Sequence, residues 1–362
     1  MDNPAILAFL QEAFRLYYNR ASIDVPDLFK REFGFGFNHK IDYRHQAFGN
    51  ANALNAFFRE EAPLYASVST AHYAFPAARP MEKKGFQGSD LVFDIDKPSS
   101  DFEHGHNPIF CTECFEHVKK DALRLKGILQ VEFGLEGFSA NYSGNKGFHF
   151  HLRDENLRAL TQDSRRQLTE FLQGPETVFS GDEKNLLGPG KKSGGWHRRF
   201  YAYACTLIEN SSLEELKHAG LRGKNAEMIF EKKALVLALM REGKWRFATP
   251  LFWKKLYDKF RAENSVVVDA QVTLDLARLI RIPNSLHGDT GFIAKTIGLE
   301  QLASFKLEDA LAFGREKTIK ISAQTDIEIG FPERLSLKKG EQATATQAAG
   351  IMLLCKNKAL LA

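Results

Sequence analysis

The chain has 362 residues, 44% of them apolar, which is enough for one large domain or two modest ones with a real core. Its 49 basic and 45 acidic residues leave a net charge of +4, too small by itself to indicate nucleic-acid binding. Four cysteines and no apolar run long enough to cross a bilayer favour a soluble, reduced intracellular protein and exclude a helical membrane protein.

Periodicity of apolar residues predicts the secondary structure. The first helix, at residues 1–30, is interrupted by polar residues and is therefore amphipathic rather than a signal peptide. A second helix is predicted to begin near Phe115 and end near Gly134. A short helix is predicted at residues 276–282, where Pro283 ends it. The predicted strands are residues 33–37, 67–71, 90–96, 138–143, 148–152 and 266–269.

Strands alternating with helices predict an α/β (α+β) domain with a mixed sheet. Residues 1–156 form its first part and residues 263–362 its second part. Residues 157–262 are charge-rich, with apolar residues at helical spacing, and predict a mostly helical insertion.

The first chemical motif is Asp94-Ile-Asp96, at the end of a predicted strand. Residues two apart on a strand project from the same face, about 7 Å from each other. Two such carboxylates can hold two divalent cations roughly 3.5–4 Å apart, as in-line phosphoryl displacement requires. The alternative is an ordinary strand end with solvated acids.

The second motif is a glycine-rich turn that begins at Ser143 and continues into a strand with His149 and His151. Two glycines let backbone N–H groups approach an anion, Lys146 adds a positive charge, and both histidines share one strand face. This combination favours a triphosphate site. The alternative is a plain hairpin turn followed by two half-exposed histidines.

A third candidate carboxylate, Asp269, ends the apolar segment 266–269 as Asp94 ends its strand. The following segment, from Arg278 to Gly291, is rich in residue types that bind phosphate, and Arg281 and His287 are its natural nucleotide contacts. The alternative is a capped helix end with a surface arginine and histidine.

Two imidazoles and two thiolates occur within eleven residues at 104–114: His104, His106, Cys111 and Cys114. This compact set suits a tetrahedral structural zinc ion. The alternative is a pair of free thiols near surface histidines. Asp101 could replace one histidine as a ligand.

In order and spacing, these segments resemble the small catalytic subunit of archaeal and eukaryotic DNA primases. The resemblance runs from about residue 10 to the C-terminus and is weakest in the insertion and the tail. Its motifs are Arg31-Glu-Phe, Glu82-Lys-Lys-Gly-Phe, Leu91-Val-Phe-Asp94-Ile-Asp96, the His/Cys knuckle, Tyr142-Ser-Gly-x-Lys-Gly-x-His149, Asp269-x-x-Val-Thr and Leu279-Ile-Arg281-x-Pro-x-Ser-Leu-His287-Gly-x-Thr-Gly291.

The resemblance implies a mixed-sheet primase fold and the synthesis of short RNA or DNA primers from NTPs or dNTPs on single-stranded DNA. It further implies two-metal nucleotidyl transfer with Mg²⁺ or Mn²⁺ and a heterodimer with a large subunit. The implied location is the cytoplasm for an archaeal-type protein and the nucleus for a eukaryotic one. No membrane association is implied.

The resemblance also implies roles for individual residues. Asp94, Asp96 and Asp269 bind the catalytic metals. The incoming nucleotide is held by Ser143, Lys146, His149, Arg281 and His287, with Arg31 at the edge of the site. The zinc knuckle at 104–114 lies apart from the chemistry.

One position departs from the family. The family has a lysine two residues after the histidine of the last motif, where this chain has Asp289. The phosphate contact of that lysine is therefore not expected here: either Lys295 replaces it or the site is weaker.

Three other functions fit parts of the pattern. A related polymerase for end joining or lesion bypass would use the same motifs. In a metal-dependent glycosyltransferase, Asp94-x-Asp96 would hold a nucleotide sugar, but the knuckle and the last motif would have no role. A non-catalytic, zinc-bearing DNA-binding subunit would show no template-directed incorporation.

Overall fold

The computed structural model describes residues 3–99, 103–221 and 223–362, and the chain divides into two compact units. Unit 1 consists of Met1–Thr169 and Val267–Ala362, and unit 2 is Glu170–Val266. Over the described residues, twelve α-helices and fifteen strands form a mixed α/β architecture, which confirms the predicted fold class. None of the described helices is both long and apolar enough to cross a bilayer.

The elements are numbered in chain order. The helices are α1 (Pro4–Tyr18), α2 (Ala51–Glu61), α3 (Thr112–Val131), α4 (Glu155–Arg158), α5 (Gln162–Gln173), α6 (Gly195–Asn210), α7 (Leu213–His218), α8 (Lys224–Glu231), α9 (Lys233–Arg241), α10 (Pro250–Asn264), α11 (Ala270–Leu274) and α12 (Gln347–Cys355). The strands are β1 (Phe33–Gly36), β2 (Tyr43–Gln46), β3 (Tyr65–Ser69), β4 (Ala71–Tyr73), β5 (Phe86–Ser89), β6 (Leu91–Ile95), β7 (Phe138–Tyr142), β8 (Phe148–Leu152), β9 (Leu279–Arg281), β10 (Thr296–Ile297), β11 (Thr318–Ala323), β12 (Ile327–Ile329), β13 (Leu335–Leu337), β14 (Gln342–Thr346) and β15 (Ala359–Leu361).

The first helix is shorter than its predicted span of 1–30. Asn3 caps α1 by accepting the N–H groups of Ala5 and Ile6, and the helix buries apolar residues at spacings of three and four up to Tyr18. Beyond Tyr18, the backbone of Ile23 exchanges two 2.8 Å hydrogen bonds with the Asn55 side chain of α2. This distant partner, which local periodicity does not reveal, replaces the helical hydrogen bonds.

Two four-stranded antiparallel sheets support the site. The first has the order β2-β1-β3-β9, and the second β10-β7-β8-β6. The strand predicted at 33–37 is present as β1, and all four of its residues are buried. In the second sheet, the register aligns Asn141 of β7, His149 of β8 and Asp94 of β6 in one row across three strands. Aligned residues on neighbouring strands project from the same face.

The segment 266–282 differs from its prediction. Residues 266–269 are extended but belong to no strand, because they are held by separate hydrogen bonds such as Val267 N–H to Ser99 Oγ at 2.8 Å. The short helix is α11, at 270–274, rather than 276–282. Leu279–Arg281 instead forms β9, because it pairs with Ser67–Ser69 of β3. That pairing depends on residues more than 200 positions away along the chain, which periodicity cannot detect.

Unit 2 contains the helices α6 to α10 and has its own core. Phe200 and Trp245 stack with ring centroids 5.7 Å apart, and the Trp253 indole N–H donates to the Trp245 carbonyl at 2.9 Å. An aromatic core of this kind can stabilise the unit without a sheet.

Candidate active site

Three aspartates converge at the end of β6. The Asp269 N–H donates a 2.8 Å hydrogen bond to the Asp94 carbonyl, so two acids 175 positions apart in sequence are adjacent in space. Asp269 is also the N-cap of α11, and Thr273 in that helix donates a hydrogen bond to the Val92 carbonyl at 2.9 Å. This second bond fixes α11 against β6. Asp96, the exposed residue after the end of β6, is close enough to Asp94 to repel its charge.

The surroundings of Asp94 disfavour its ionisation. The pKa of Asp94 is raised to about 7, first by burial and then by the negative charges of Asp96 and Asp269. Arg278 and Arg281 oppose the shift without cancelling it. Asp94 Oδ1 is buried and accepts no hydrogen bond from the described residues. Buried, mutually repelling oxygens of this kind are suited to divalent cations such as Mg²⁺.

The turn from Ser143 to Gly147 joins β7 to β8 beside these acids. The Ser143 hydroxyl accepts the N–H groups of Gly147 at 3.1 Å and Asn145 at 3.4 Å, which holds the turn tight. A Cβ at Gly147 would lie 1.8 Å from the Ile95 carbonyl oxygen, so the turn can approach the end of β6 only because residue 147 is glycine. Lys146 is exposed on this turn.

His149 lies beside Asp94 in the row across the second sheet. Its Nε2 is 3.6 Å from Asp94 Oδ1, and burial, reinforced by Arg281, lowers the pKa of His149 to about 3. The ring is therefore neutral at physiological pH. His151 projects from the same strand face, and burial holds its pKa well below the usual range.

A second turn contacts the first one. Thr290 Oγ1 donates a 2.5 Å hydrogen bond to the Gly144 carbonyl, and a Cβ at Gly144 would lie 2.8 Å from the Cβ of His287. His287 Nδ1 accepts the Asp289 N–H at 3.1 Å, so in the neutral ring the proton is on Nε2, which can donate to an anion. Arg281 is half-buried near the start of this segment, and its Nη1 atom is buried without a hydrogen-bond partner among the described residues.

The four knuckle residues also come together. One candidate ligand atom from each of His104, His106, Cys111 and Cys114 lies within 4.8 Å of all the others. Cys111 is the N-cap of α3 and Cys114 lies in its first turn, so the helix fixes both sulfurs. This group can hold a metal ion. Asp101, the alternative ligand, lies outside the described residues.

The knuckle lies close to two parts of the candidate site. A cavity of about 250 Å³ is lined by Cys111 and Cys114 together with Asp96, Asn145 and Lys146. The knuckle therefore shares a cavity with one candidate acid and the glycine-rich turn, and the expectation that it does no chemistry stays a prediction.

Comparison with known proteins agrees with this geometry. The family model described as DNA primase small subunit matches residues 93–299, which is more than half of the chain. The chain belongs to the DNA primase small subunit family. Proteins called DNA primase small subunit PriS from Methanococcoides burtonii and Archaeoglobus fulgidus are 29% and 28% identical to it, each over 97% of both chains. The PriS protein of Methanosarcina acetivorans is 28% identical over 97% of this chain and 95% of its own.

Family membership confirms three predictions: the primase resemblance, the function as catalytic subunit of a DNA primase, and the enzyme class, nucleotidyltransferase. It leaves the end-joining or lesion-bypass polymerase, the glycosyltransferase and the non-catalytic subunit without support. A subunit described as small also implies a larger partner.

Arg31, the nucleotide contact predicted at the edge of the site, is held by buried contacts within the protein. Its guanidinium is buried and donates to Asp90 Oδ2 at 2.5 Å and to the carbonyls of Ser69 and Thr70 at 3.1 and 2.8 Å. Arg158 binds the other oxygen of Asp90 at 2.9 Å. Burial alone would raise the pKa of Asp90, but its hydrogen bonds and the nearby positive charges hold it well below the usual range. These contacts are structural.

We expect Arg31→Ala to lower the free energy of unfolding by about 3–5 kcal/mol, because it leaves Asp90 charged, buried and short of a partner. Arg166→Ala is the control, since its ion pair with Asp163 is 54% and 80% exposed and should contribute about 0.5 kcal/mol or less. Urea denaturation followed by circular dichroism measures both. A large rise in nucleotide KM without loss of stability would contradict the structural role.

Sequence reasoning missed Asn141. Its side chain is 1% exposed, and Nδ2 has no hydrogen-bond partner among the described residues, although it lies in the row with His149 and Asp94. Alternation along β7 could have found it, because residue 141 faces the same side as residues 149 and 94 once the hairpin register is known.

Proposed function

We propose that this primase makes primers on single-stranded DNA by two-metal nucleotidyl transfer at Asp94, Asp96 and Asp269. The observation that carries the proposal is the hydrogen bond from the Asp269 amide to the Asp94 carbonyl, which brings the third acid to the other two. Two Mg²⁺ or Mn²⁺ ions bound there would activate a 3′-hydroxyl and stabilise the leaving pyrophosphate.

The residues around the acids have separate tasks in this proposal. Lys146 and Arg281 neutralise the triphosphate, while the Ser143 hydroxyl holds the tight turn that carries Lys146. His287 donates from Nε2 to a phosphate oxygen. His149, which is neutral, can donate from Nε2 either to Asp94 or to the nucleotide without adding a positive charge.

The direct test is incubation of the purified protein with single-stranded DNA, labelled NTPs or dNTPs, and Mg²⁺ or Mn²⁺. We expect products whose sequence follows the template, and more of them when the large subunit is added. Template-independent products, or turnover of nucleotide sugars instead, would refute the proposal.

Partner, location and domain boundaries are parts of the same proposal. We expect this protein to form a heterodimer with a primase large subunit. The heterodimer would act on NTPs or dNTPs and single-stranded DNA. We place it in the cytoplasm, since the similar proteins are archaeal. We also propose a catalytic domain formed by residues 1–156 and 263–362, with residues 157–262 as the insertion. The two compact units, which divide near residues 169 and 267, support this division.

We further propose that the knuckle binds structural zinc, since two nitrogens and two sulfurs within 4.8 Å of one another fit a tetrahedral ion. Cys114→Ser should lose about one equivalent of zinc per chain and lower the melting temperature by at least about 5 °C, because ion binding is coupled to folding. Elemental analysis and a thermal melt measure the two effects.

The matched control for Cys114 is Cys205→Ser. Cys205 is half-buried in unit 2 and is not part of the knuckle. This variant should keep its zinc. Full zinc content in Cys114→Ser would disprove the ligand assignment.

A further inference from the structure

Several cations surround the His287 turn. Arg281, Lys356 and Lys40 all act electrostatically on His287, and Lys356 also interacts with Lys146. Asp289 carries a negative charge among these cations: it accepts a hydrogen bond from the Tyr65 hydroxyl at 2.7 Å and lies 3.9 Å from the Lys40 ammonium. Asp94 also acts electrostatically on Arg281. The positive excess suits a polyanion.

Lys356 is brought to this turn by the C-terminal helix. Every residue of α12 from Ala348 to Cys355 is buried, so the helix lies within the core of unit 1. A Cβ at Gly291 would be 2.6 Å from Ile351 Cγ2, so α12 packs directly on the turn that follows His287. The helix ends at Cys355, so its C-cap residue Lys356 is attached to a rigid base, and it is half-buried and attracted by Asp289.

The surroundings of Lys356 are unfavourable for a cation without an anion. Burial lowers the pKa of Lys356, the attraction of Asp289 opposes this, and the repulsion of Lys146 adds to it. Among the described residues, no carboxylate oxygen lies within 4.0 Å of the Lys356 ammonium to form an ion pair. An anion bound between Lys146 and Lys356 would relieve the repulsion and satisfy both.

We propose that Lys356 binds the triphosphate of the incoming nucleotide together with Lys146. The inference rests on the proposed nucleotide site and deepens it, because neither the sequence motifs nor the family match, which ends at residue 299, reaches this residue. Lys356 thereby supplies the positive charge that Asp289 does not. Lys295, the earlier candidate, instead lines a separate cavity with Gln301 and Asp309.

The test is steady-state extension of an annealed primer on template DNA. Lys356→Ala should raise the KM for the nucleotide at least about tenfold, as expected for a lost charged contact, with a much smaller change in kcat. Lys356→Arg should keep most of the affinity. Lys358→Ala, the same change two residues later, should leave KM unchanged, because Lys358 lines a different cavity with Asp326 and Glu328.

Variants of Asp289 separate ligand binding from a structural role. If Lys356 served only to neutralise the negative charge of Asp289 and so keep the local structure, Asp289→Asn would raise KM as Lys356→Ala does. If Lys356 binds the nucleotide, we instead expect an unchanged or lower KM for Asp289→Asn. We also expect the double variant Lys356→Ala/Asp289→Lys to recover affinity for the nucleotide. An unchanged KM in Lys356→Ala, or a raised KM in Asp289→Asn, overturns the inference.

Failure of this inference can be distinguished from failure of the proposed function. Lys146→Ala is the reference, since Lys146 belongs to the proposed nucleotide site itself. A raised KM in Lys146→Ala with a normal KM in Lys356→Ala refutes only the role of Lys356. Normal KM values in both variants, with unchanged melting temperatures, refute the proposed nucleotide site as well.

Discussion

Asp94→Asn should lower the rate of primer synthesis at least about a thousandfold, because it removes a carboxylate from the proposed metal site. At pH 8, without added divalent cations, the same variant should melt at a higher temperature than the wild type. The reason is that the buried Asp94 carboxylate is repelled by Asp96 and Asp269, whereas the neutral amide of the variant is not.

The sign of the pH dependence follows from the raised pKa. Asp94 titrates near 7 in the folded protein and near its ordinary value of 3.8 in the unfolded chain. Between these values the folded state binds the additional proton, so stability falls as pH rises from about 4 to 7 and stays lower above that range. We expect this slope in the wild type and a flatter one in Asp94→Asn.

Thermal melts from pH 5 to 8 and a primer-synthesis assay test both effects. Asp163→Asn is the matched control, because its side chain is 80% exposed and it should change neither activity nor the pH slope. Added Mg²⁺ or Mn²⁺ should stabilise the wild type more than Asp94→Asn. Undiminished primer synthesis by Asp94→Asn would rule out the metal site.

Gly147→Ala should destabilise the protein by about 3 kcal/mol and slow primer synthesis at least about a hundredfold. The new Cβ would meet the Ile95 carbonyl oxygen at 1.8 Å and the Asp96 Cα at 2.8 Å. Both are backbone atoms, which a rotamer change cannot move away. The turn must therefore move off β6 and separate the triphosphate contacts from the acids.

Gly127→Ala provides the control for Gly147. Gly127 lies within α3 with no atom within 4 Å of a Cβ, so alanine should stabilise the protein by up to about 1 kcal/mol. Urea denaturation and primer extension measure both variants. Wild-type stability in Gly147→Ala would mean that the turn does not pack against β6 as described.

The part of the site that the sequence could predict lies on regular strands. β7 and β8 alternate apolar and polar residues, which places His149 and His151 on one face of β8 before any pairing is known. β6 is apolar except for Asp94, so the position of this acid near the end of the strand can also be predicted from the sequence. The two glycines between β7 and β8 likewise predict a turn at this position. Local patterns suffice where a residue's position is set by its near neighbours.

Positions that depend on distant partners were not predictable from local patterns. Asp269 reaches Asp94 through one backbone hydrogen bond on an extended segment, which looked like a strand because it is apolar. Leu279–Arg281 looked helical because its apolar spacing allows a helix, yet pairing with β3 decides its conformation. Arg31 followed a family motif, but its buried contacts with Asp90 appear only in three dimensions.

The hydrogen bond from Thr290 to the Gly144 carbonyl ties together two loops from distant parts of the chain. Neither loop can move away from the other without breaking this buried bond. In the proposed nucleotide site, the pocket for the phosphate tail would thus be preassembled, and little binding energy would be lost in ordering it when a nucleotide binds. Substrate discrimination in this enzyme should therefore depend on the fit of the base and sugar more than on closure of a lid.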